Sequence, residues 1–262
     1  MKLPSLIGMV HLPPLPGSPL FATDFPGVIK FALRDALILK EAGFPALMVE
    51  NFGDAPFFPD TVPPVTVASM TRAVSEIAQA TGLPIGVNVL RNDALAALAV
   101  AAATGAAMIR VNVLTGHMNT DQGPIVGRAA EAARTRREMC PNVAILADVF
   151  VKHASPPAGT TIEQAGIDTW ERGGADALIV SGTGTGAAPD LFEAARLRKA
   201  VPQATILVGS GATAAGLPAL AEIADGAIIG TSVKVDGRVS NQVDARRAGE
   251  LVRVAATLGW VG

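Results

Sequence analysis

The feature that most constrains this chain is a repeated theme. A helix-like segment, a glycine, a short apolar run and a polar loop recur about eight times. The apolar runs lie at 5–10, 45–50, 84–89, 107–112, 143–148, 176–181, 205–209 and 227–230. They are near-continuously apolar, the pattern of strands buried on both faces. Between them 27–42, 66–81, 92–104, 123–139 and 191–200 read as helices. Gly43, Gly82, Gly105 and Gly173 stand where a left-handed residue ends a helix. Regular alternation of this kind predicts parallel βαβ units. Eight such units in 262 residues match an α/β single-domain (β/α)8 TIM barrel over residues 1–262. The competing architecture is an open doubly wound sheet. It more often opens on a glycine fingerprint, whereas here the first strand runs into Met9-Val10-His11-Leu12-Pro13-Pro14.

In such a barrel, ligands bind at the carboxyl ends of the strands. Here those ends carry His11, Glu50-Asn51, Asn88, Arg110, Asn112 and Asp148. Strand alternation places Met108, Arg110 and Asn112 on one face and Ile109 and Val111 on the other. Ala144, Leu146 and Asp148 share a face, as do Met48 with Glu50 and Gly86 with Asn88. The polar members of these sets are expected to point into the barrel mouth. Strand-end polar residues also serve as plain caps, and an Arg110–Asp148 or Arg110–Glu50 ion pair would offset the cost of burying charge there. The chemical alternative is proton abstraction beside a carbonyl, with a carboxylate as base and Arg110 stabilising the enolate. That points to isomerase or lyase chemistry, with hydrolysis by the same groups left open.

The last strand ends differ in character. Gly209-Ser210-Gly211 and Gly230-Thr231-Ser232 are glycine- and hydroxyl-rich. Loops after the seventh and eighth strands commonly cradle phosphate, because glycine admits backbone N–H groups to the oxygens and a helix amino terminus adds favourable charge. Gly182-Thr183-Gly184-Thr185-Gly186 would extend this cradle or form a loop of its own. It lacks the Gly-Lys-Ser/Thr ending of a Walker A motif. Lys152 and Lys234 flank the mouth. A buried lysine with a lowered pKa forms Schiff bases, but their loop positions favour phosphate contact or solvation. All three histidines, His11, His117 and His153, follow strand ends. His11, Glu50 and Asp148 would suit zinc or manganese. No H-x-H or H-x-x-x-H spacing is present, so the sequence requires no cofactor and leaves a divalent metal as an option. Cys140, before Pro141 at the amino end of the fifth strand, reads as inert packing. The loops 52–65 and 149–161, rich in Pro, Gly and small residues, are expected to supply a lid.

Composition narrows the partners. A net charge of −2 and 4% aromatic residues give neither the basic face nor the stacking platform of a nucleic-acid binder. Half the residues are apolar and 17% charged, too few charges for disorder. The apolar stretch 94–109 is mostly alanine, broken at Thr104-Gly105, and shorter than the roughly 20 residues a membrane span needs. The amino terminus does not read as a signal peptide, and one cysteine suits a reducing compartment, so a cytoplasmic site is expected. The expected partner is a small phosphorylated metabolite. Peripheral membrane contact and self-association into a homo-oligomer stay open.

Several long motifs resemble the BtpA family, also called BtpA/SgcQ, along nearly the whole chain. They are Gly8-Met9-Val10-His11-Leu12, Asn88-Val89-Leu90-Arg91-Asn92-Asp93, Ile109-Arg110-Val111-Asn112-Val113, Ala147-Asp148-Val149, Val151-Lys152-His153-Ala154, Asp176-Ala177-Leu178-Ile179-Val180-Ser181-Gly182 and Ala224-Asp225-Gly226-Ala227-Ile228-Ile229-Gly230-Thr231-Ser232. The resemblance implies a TIM barrel. One branch of that family is linked to photosystem I biogenesis as a membrane-associated factor, and another to genes for sugar uptake and phosphosugars. It therefore also implies a non-catalytic assembly factor that retains a ligand pocket. It carries over no catalytic residues.

Overall fold

The computed structural model describes residues 3–182, 184 and 190–261. Eleven strands occur among them: β1 (Leu6–His11), β2 (Ala46–Glu50), β3 (Ile85–Asn88), β4 (Met108–Val111), β5 (His117–Thr120), β6 (Gly123–Val126), β7 (Ala144–Asp148), β8 (Ala154–Ser155), β9 (Ala177–Val180), β10 (Ile206–Val208) and β11 (Gly226–Ile229). Eight of these close a parallel barrel in the order β1-β2-β3-β4-β7-β9-β10-β11, and β11 pairs back onto β1. The expected (β/α)8 architecture is the observed one. Its strands match the predicted runs to within a residue or two at each end.

Eight α-helices follow the strands among the described residues: α1 (Phe25–Ala42), α2 (Pro64–Thr81), α3 (Ala94–Thr104), α4 (Ala129–Met139), α5 (Ile162–Ile167), α6 (Leu191–Ala200), α7 (Leu217–Leu220) and α8 (Ala245–Thr257). Local chemistry sets their ends. Asp24, Asp93, Asp190 and Asp244 each accept a backbone N–H from the first turn of α1, α3, α6 and α8. Gly43, Gly82 and Gly105 end α1, α2 and α3 in the left-handed region, as expected. Gly173 does not, having φ −78°, and the left-handed turn falls one residue later at Gly174. A π-helical stretch, Asp168–Arg172, displaces the stop.

A second correction concerns 123–139, which reads as one helix from sequence. Its first part is strand β6, which forms a hairpin with β5, and α4 begins only at Ala129. The left-handed Gly123 and Pro124 suit a turn and an edge strand better than a helix interior. Strand β8 adds to the other side of β5 through Asn119–Ser155 and Thr120–Ala154, so a small antiparallel sheet joins the segments that follow β4 and β7.

Parity divides the core as predicted. Ile7, Met9, Met48, Met108, Leu146, Leu207 and Ile228 fill the barrel. Ile109 and Val111 belong to the outer layer that packs beneath the helices. The polar strand-end residues therefore form the top layer of a filled barrel, with hydrocarbon directly below them. Among the described residues no helix is long and apolar enough to cross a membrane.

Candidate active site

The centre of the polar layer is a buried ion pair between adjacent strands. Arg110 donates from Nε to Asp148 Oδ2 (2.9 Å) and from Nη2 to Asp148 Oδ1 (2.8 Å). Asn112 Nδ2 donates to the same Oδ2 (2.9 Å) and Ser181 Oγ to Oδ1 (2.9 Å). With two donors on each oxygen and a fully buried side chain, the Asp148 carboxylate has its acceptor capacity filled. Burial works against the Arg110 cation, but the charge and hydrogen bonds of Asp148 outweigh it and hold the guanidinium above its ordinary value. None of these bonds uses Nη1, and Arg110 lines the cavity above.

Of the two ion pairs left open for Arg110, the one with Asp148 is formed, and Asn112 binds the same carboxylate. Both belong to Asp148. Asn88 supports them from below, with Nδ2 donating to the Arg110 carbonyl (3.2 Å) and to Asn112 Oδ1 (3.4 Å).

Glu50 is the carboxylate left over. It is buried, and its Oε1 has no hydrogen-bond partner among the described residues. The nearest cationic candidate is His11, whose Nε2 is 3.8 Å from Oε1, too long for a hydrogen bond. Burial lowers the His11 pKa well below its usual value, and the nearby charges of Lys234, Lys152 and Arg110 lower it further. The imidazole is therefore neutral at pH 7, packed edge-on against Phe52, with Nδ1 lacking a hydrogen-bond partner among the described residues. An unpaired carboxylate oxygen in such a place is costly unless something binds it.

The two lysines part company here. Lys234 is wholly buried and its ammonium pairs with Asp35 of α1. Asp35 also accepts the Val243 N–H (2.8 Å), so the pair ties the loop after β11 to α1. Neither solvent nor phosphate is its partner, contrary to expectation. Lys152 instead lines the same cavity as Glu50 and His11.

That cavity, of about 530 Å³, runs from Glu50, His11 and Lys152 across Arg110 to the loops after β10 and β11. Its size lies within the range of about 300–1,000 Å³ typical of small-molecule sites. The far end includes Gly209, Ser210, Gly211, Gly230, Thr231 and Ser232, as expected, together with Arg246 and Arg247. Ser232 Oγ is buried without a hydrogen-bond partner among the described residues, while Ser210 Oγ donates to the Gly184 carbonyl (3.1 Å). Gly211 has φ +70°. Gly209 is required by packing as much as by any ligand, since a Cβ there would lie 3.0 Å from Arg110 Nη2 and collide with Ile179. Gly230 plays the same part for His11, whose Cε1 would be 2.9 Å from an added Cβ.

Sequence reasoning missed Arg246 and Arg247. The available signal was an Arg-Arg pair behind Asp244, in the first turn of a helix that follows the eighth strand. Gly182, buried after β9, is not among the residues lining the cavity, and Thr183, Thr185 and Gly186 lie outside the described residues. His117 and His153 are exposed on the small sheet and its loop. Among the described residues no three His, Cys, Asp or Glu side chains come together as a metal site, because Asp148 is committed to Arg110 and only His11 and Glu50 remain close. Cys140 is buried, and burial raises its thiol pKa, in keeping with packing.

The loop 52–65 is stitched down at several points. Asp54 Oδ1 accepts the Leu15 N–H (2.8 Å), Asp93 Oδ2 accepts that of Val62 (2.9 Å), and the Phe58 carbonyl accepts that of Arg91 (3.0 Å). These bonds fasten the loop to the segments that follow β1 and β3.

Fold and site define a class: a (β/α)8 barrel whose mouth holds a ligand-sized, charged cavity. More particularly, the chain matches the BtpA family over residues 2–257 and belongs to that family. An uncharacterised protein of Thermococcus kodakarensis is 50% identical over 253 residues, covering 97% of this chain and 95% of the relative. The photosystem I biogenesis protein BtpA of Synechocystis is 43% identical over 251 residues, covering 96% of this chain and 88% of the relative. Among solved structures, N-(5'-phosphoribosyl)anthranilate isomerase from Pyrococcus furiosus superposes with a TM-score of 0.60 at 12% identity, over 97% of this chain and 100% of that one. At that identity the likeness is one of fold.

Proposed function

We propose that the protein is an enzyme that binds a small phosphorylated metabolite, sugar-like or nucleoside-like, and carries out proton-transfer chemistry of the isomerase or lyase type. One observation carries the reading. A single cavity joins a carboxylate oxygen of Glu50 to the Ser232 hydroxyl beside Arg246 and Arg247, both buried and without a hydrogen-bond partner among the described residues. The Ser232 end suits a phosphate, with glycine backbone, a hydroxyl and the positive first turn of α8. The Glu50 end suits a base, and Arg110, fixed by Asp148, supplies preorganised positive charge for an enolate oxygen. The fold neighbour named for a phosphoribosyl substrate supports the class of ligand and nothing finer.

The name of the Synechocystis relative favours a second reading, an assembly factor that kept the pocket. Two measurements separate the readings. Inorganic phosphate should raise the melting temperature of the wild type, and Ser232→Ala with Arg247→Ala should abolish that rise. A panel of sugar phosphates in D2O, followed by NMR, should show exchange of a C–H beside a carbonyl that is lost in Glu50→Gln. Phosphate binding without exchange or turnover of any panel member would favour the assembly factor. No phosphate effect at all would overturn the cradle.

A further inference from the structure

Lys152 stands apart from the other charged groups of the mouth. The backbone around it is fixed, since the buried Arg91 donates from Nη2 to its carbonyl oxygen and β8 is pinned to β5 two residues later. Its side chain is half-buried and lines the cavity with Glu50 and His11. Among the described residues, no carboxylate comes within ion-pair distance of its ammonium, whereas Arg110 has Asp148 and Lys234 has Asp35. The charges that act on it come from Glu50 on β2, Arg110 on β4, Asp148 on β7 and Arg91 after β3, with none from the loops after β10 and β11. Lys152 thus sits at the carboxylate end of the cavity. Burial, the largest influence, lowers its pKa and increases the share of neutral amine.

We propose that Lys152 forms an imine with the aldehyde or ketone of a small carbonyl compound whose phosphate lies at the Gly211–Ser232 end of the same cavity. This rests on the ligand class proposed above and deepens it to phosphorylated carbonyl compounds. The lone pair of neutral Lys152 Nζ adds to the carbonyl carbon, the π pair moves to oxygen, and a proton passes from the nitrogen to that oxygen. The hydroxyl of this carbinolamine then takes a second proton from solvent, the C–O bond breaks with water leaving, and the nitrogen lone pair forms the C=N bond of a protonated imine. No oxidant or reductant is needed. The protonated imine draws electrons from the neighbouring C–H bond, and Glu50 accepts that proton to leave an enamine. Returning a proton to carbon and hydrolysing the imine with one water regenerates Lys152. The unpartnered Oε1 of Glu50 is the acceptor such a step requires, and neutral His11 beside it adds no competing positive charge.

The test is reductive trapping on the full chain. Glyceraldehyde 3-phosphate and dihydroxyacetone phosphate are each incubated with the protein and sodium cyanoborohydride, alongside unphosphorylated glyceraldehyde and dihydroxyacetone. Intact mass and peptide mapping then locate the adduct. The expected result is one adduct at Lys152, formed about tenfold or more faster with the phosphorylated compounds because their phosphate holds the carbonyl in place. Lys152→Arg keeps the charge but cannot form an imine, and should lose the adduct while melting like the wild type. Lys152→Met serves as a second variant. Comparable labelling of surface lysines such as Lys30 and Lys199, or full labelling in Lys152→Arg, would overturn the proposal. Equal labelling of Lys152 with and without phosphate would keep the imine and refute the cradle. Stabilisation by the phosphorylated compounds with no adduct would keep the cradle and refute the imine.

Discussion

Replacing Asp148 by Asn keeps shape and removes one buried charge. The carboxylate accepts two bonds from Arg110, one from Asn112 and one from Ser181, and the ion-paired side chains are 2% and 0% exposed. An amide offers one acceptor oxygen and turns N–H groups toward donors, so the Arg110 cation stays buried without its counter-charge. Breaking one partner of a buried pair costs about 3–5 kcal/mol. For 262 residues, at an unfolding entropy of about 2.1 cal/mol/K per residue, this lowers the melting temperature by about 5–9 °C. Urea unfolding followed by circular dichroism should show a lower midpoint with an unchanged slope. Replacing both partners together, Arg110→Met with Asp148→Leu, should recover much of the loss, because the apolar pair leaves no orphaned charge. Phosphate binding by folded Asp148→Asn at low temperature should be close to wild type. A loss below about 1 kcal/mol, the range of an exposed pair, would refute the view that this ion pair organises the mouth.

Two further perturbations follow from the same geometry. Gly209→Ala should destabilise the protein by about 1–3 kcal/mol, since its Cβ meets Ile179 and Arg110; thermal melting checks this, and unchanged stability would mean that the loop relaxes freely. His11 is held neutral when folded, so the unfolded chain takes up a proton first as pH falls below the ordinary value of 6.5. Stability from this group is therefore retained above pH 6.5 and declines as pH falls below it, and His11→Asn should remove up to about 1.4 kcal/mol per pH unit of that slope. His153, with its pKa lowered by burial and by Lys152 and Arg91, adds to the same decline and remains in the variant. An identical pH dependence with and without His11 would refute its neutrality.

The fold was legible because periodicity reports burial directly. A strand covered on both faces must be apolar throughout, and a helix leaving the sheet must stop, so the eightfold theme followed from physics local to each segment. What was lost involved pairing across sequence. The β5–β6 hairpin was hidden in a stretch that ends in a good helix, since residues 129–139 are rich in Ala, Glu and Arg and colour the reading of the residues before them. Its signals were Gly116 and Gly123, both at positive φ, and Pro124 directly after Gly123 and before the β-branched Ile125 and Val126. The short β8 has two residues and exists because β5 is there to receive it. No window of its own sequence announces it.

The site shows the same boundary more sharply. Alternation placed Glu50, Asn88, Arg110 and Asp148 on the inward strand face, where Asn88 and Asp148 hydrogen-bond Arg110, because direction along a strand is a local property. It could not say which carboxylate Arg110 would take. Register decides that: Arg110 lies opposite Leu146 on β7, two residues below Asp148, whereas on its other side it faces Asn88 of β3 before Glu50 of β2 is reached. Asp148 is the adjacent strand's acidic side chain and captures the guanidinium, which leaves Glu50 Oε1 without a hydrogen-bond partner among the described residues. The two lysines divide for a similar reason. Lys234 meets Asp35, which faces inward from a helix 199 residues earlier in the chain, while the loop carrying Lys152 is held by an arginine through its backbone and brings no carboxylate to its ammonium. The groups at this mouth that pairing passed over are visible only once the neighbours have chosen their partners.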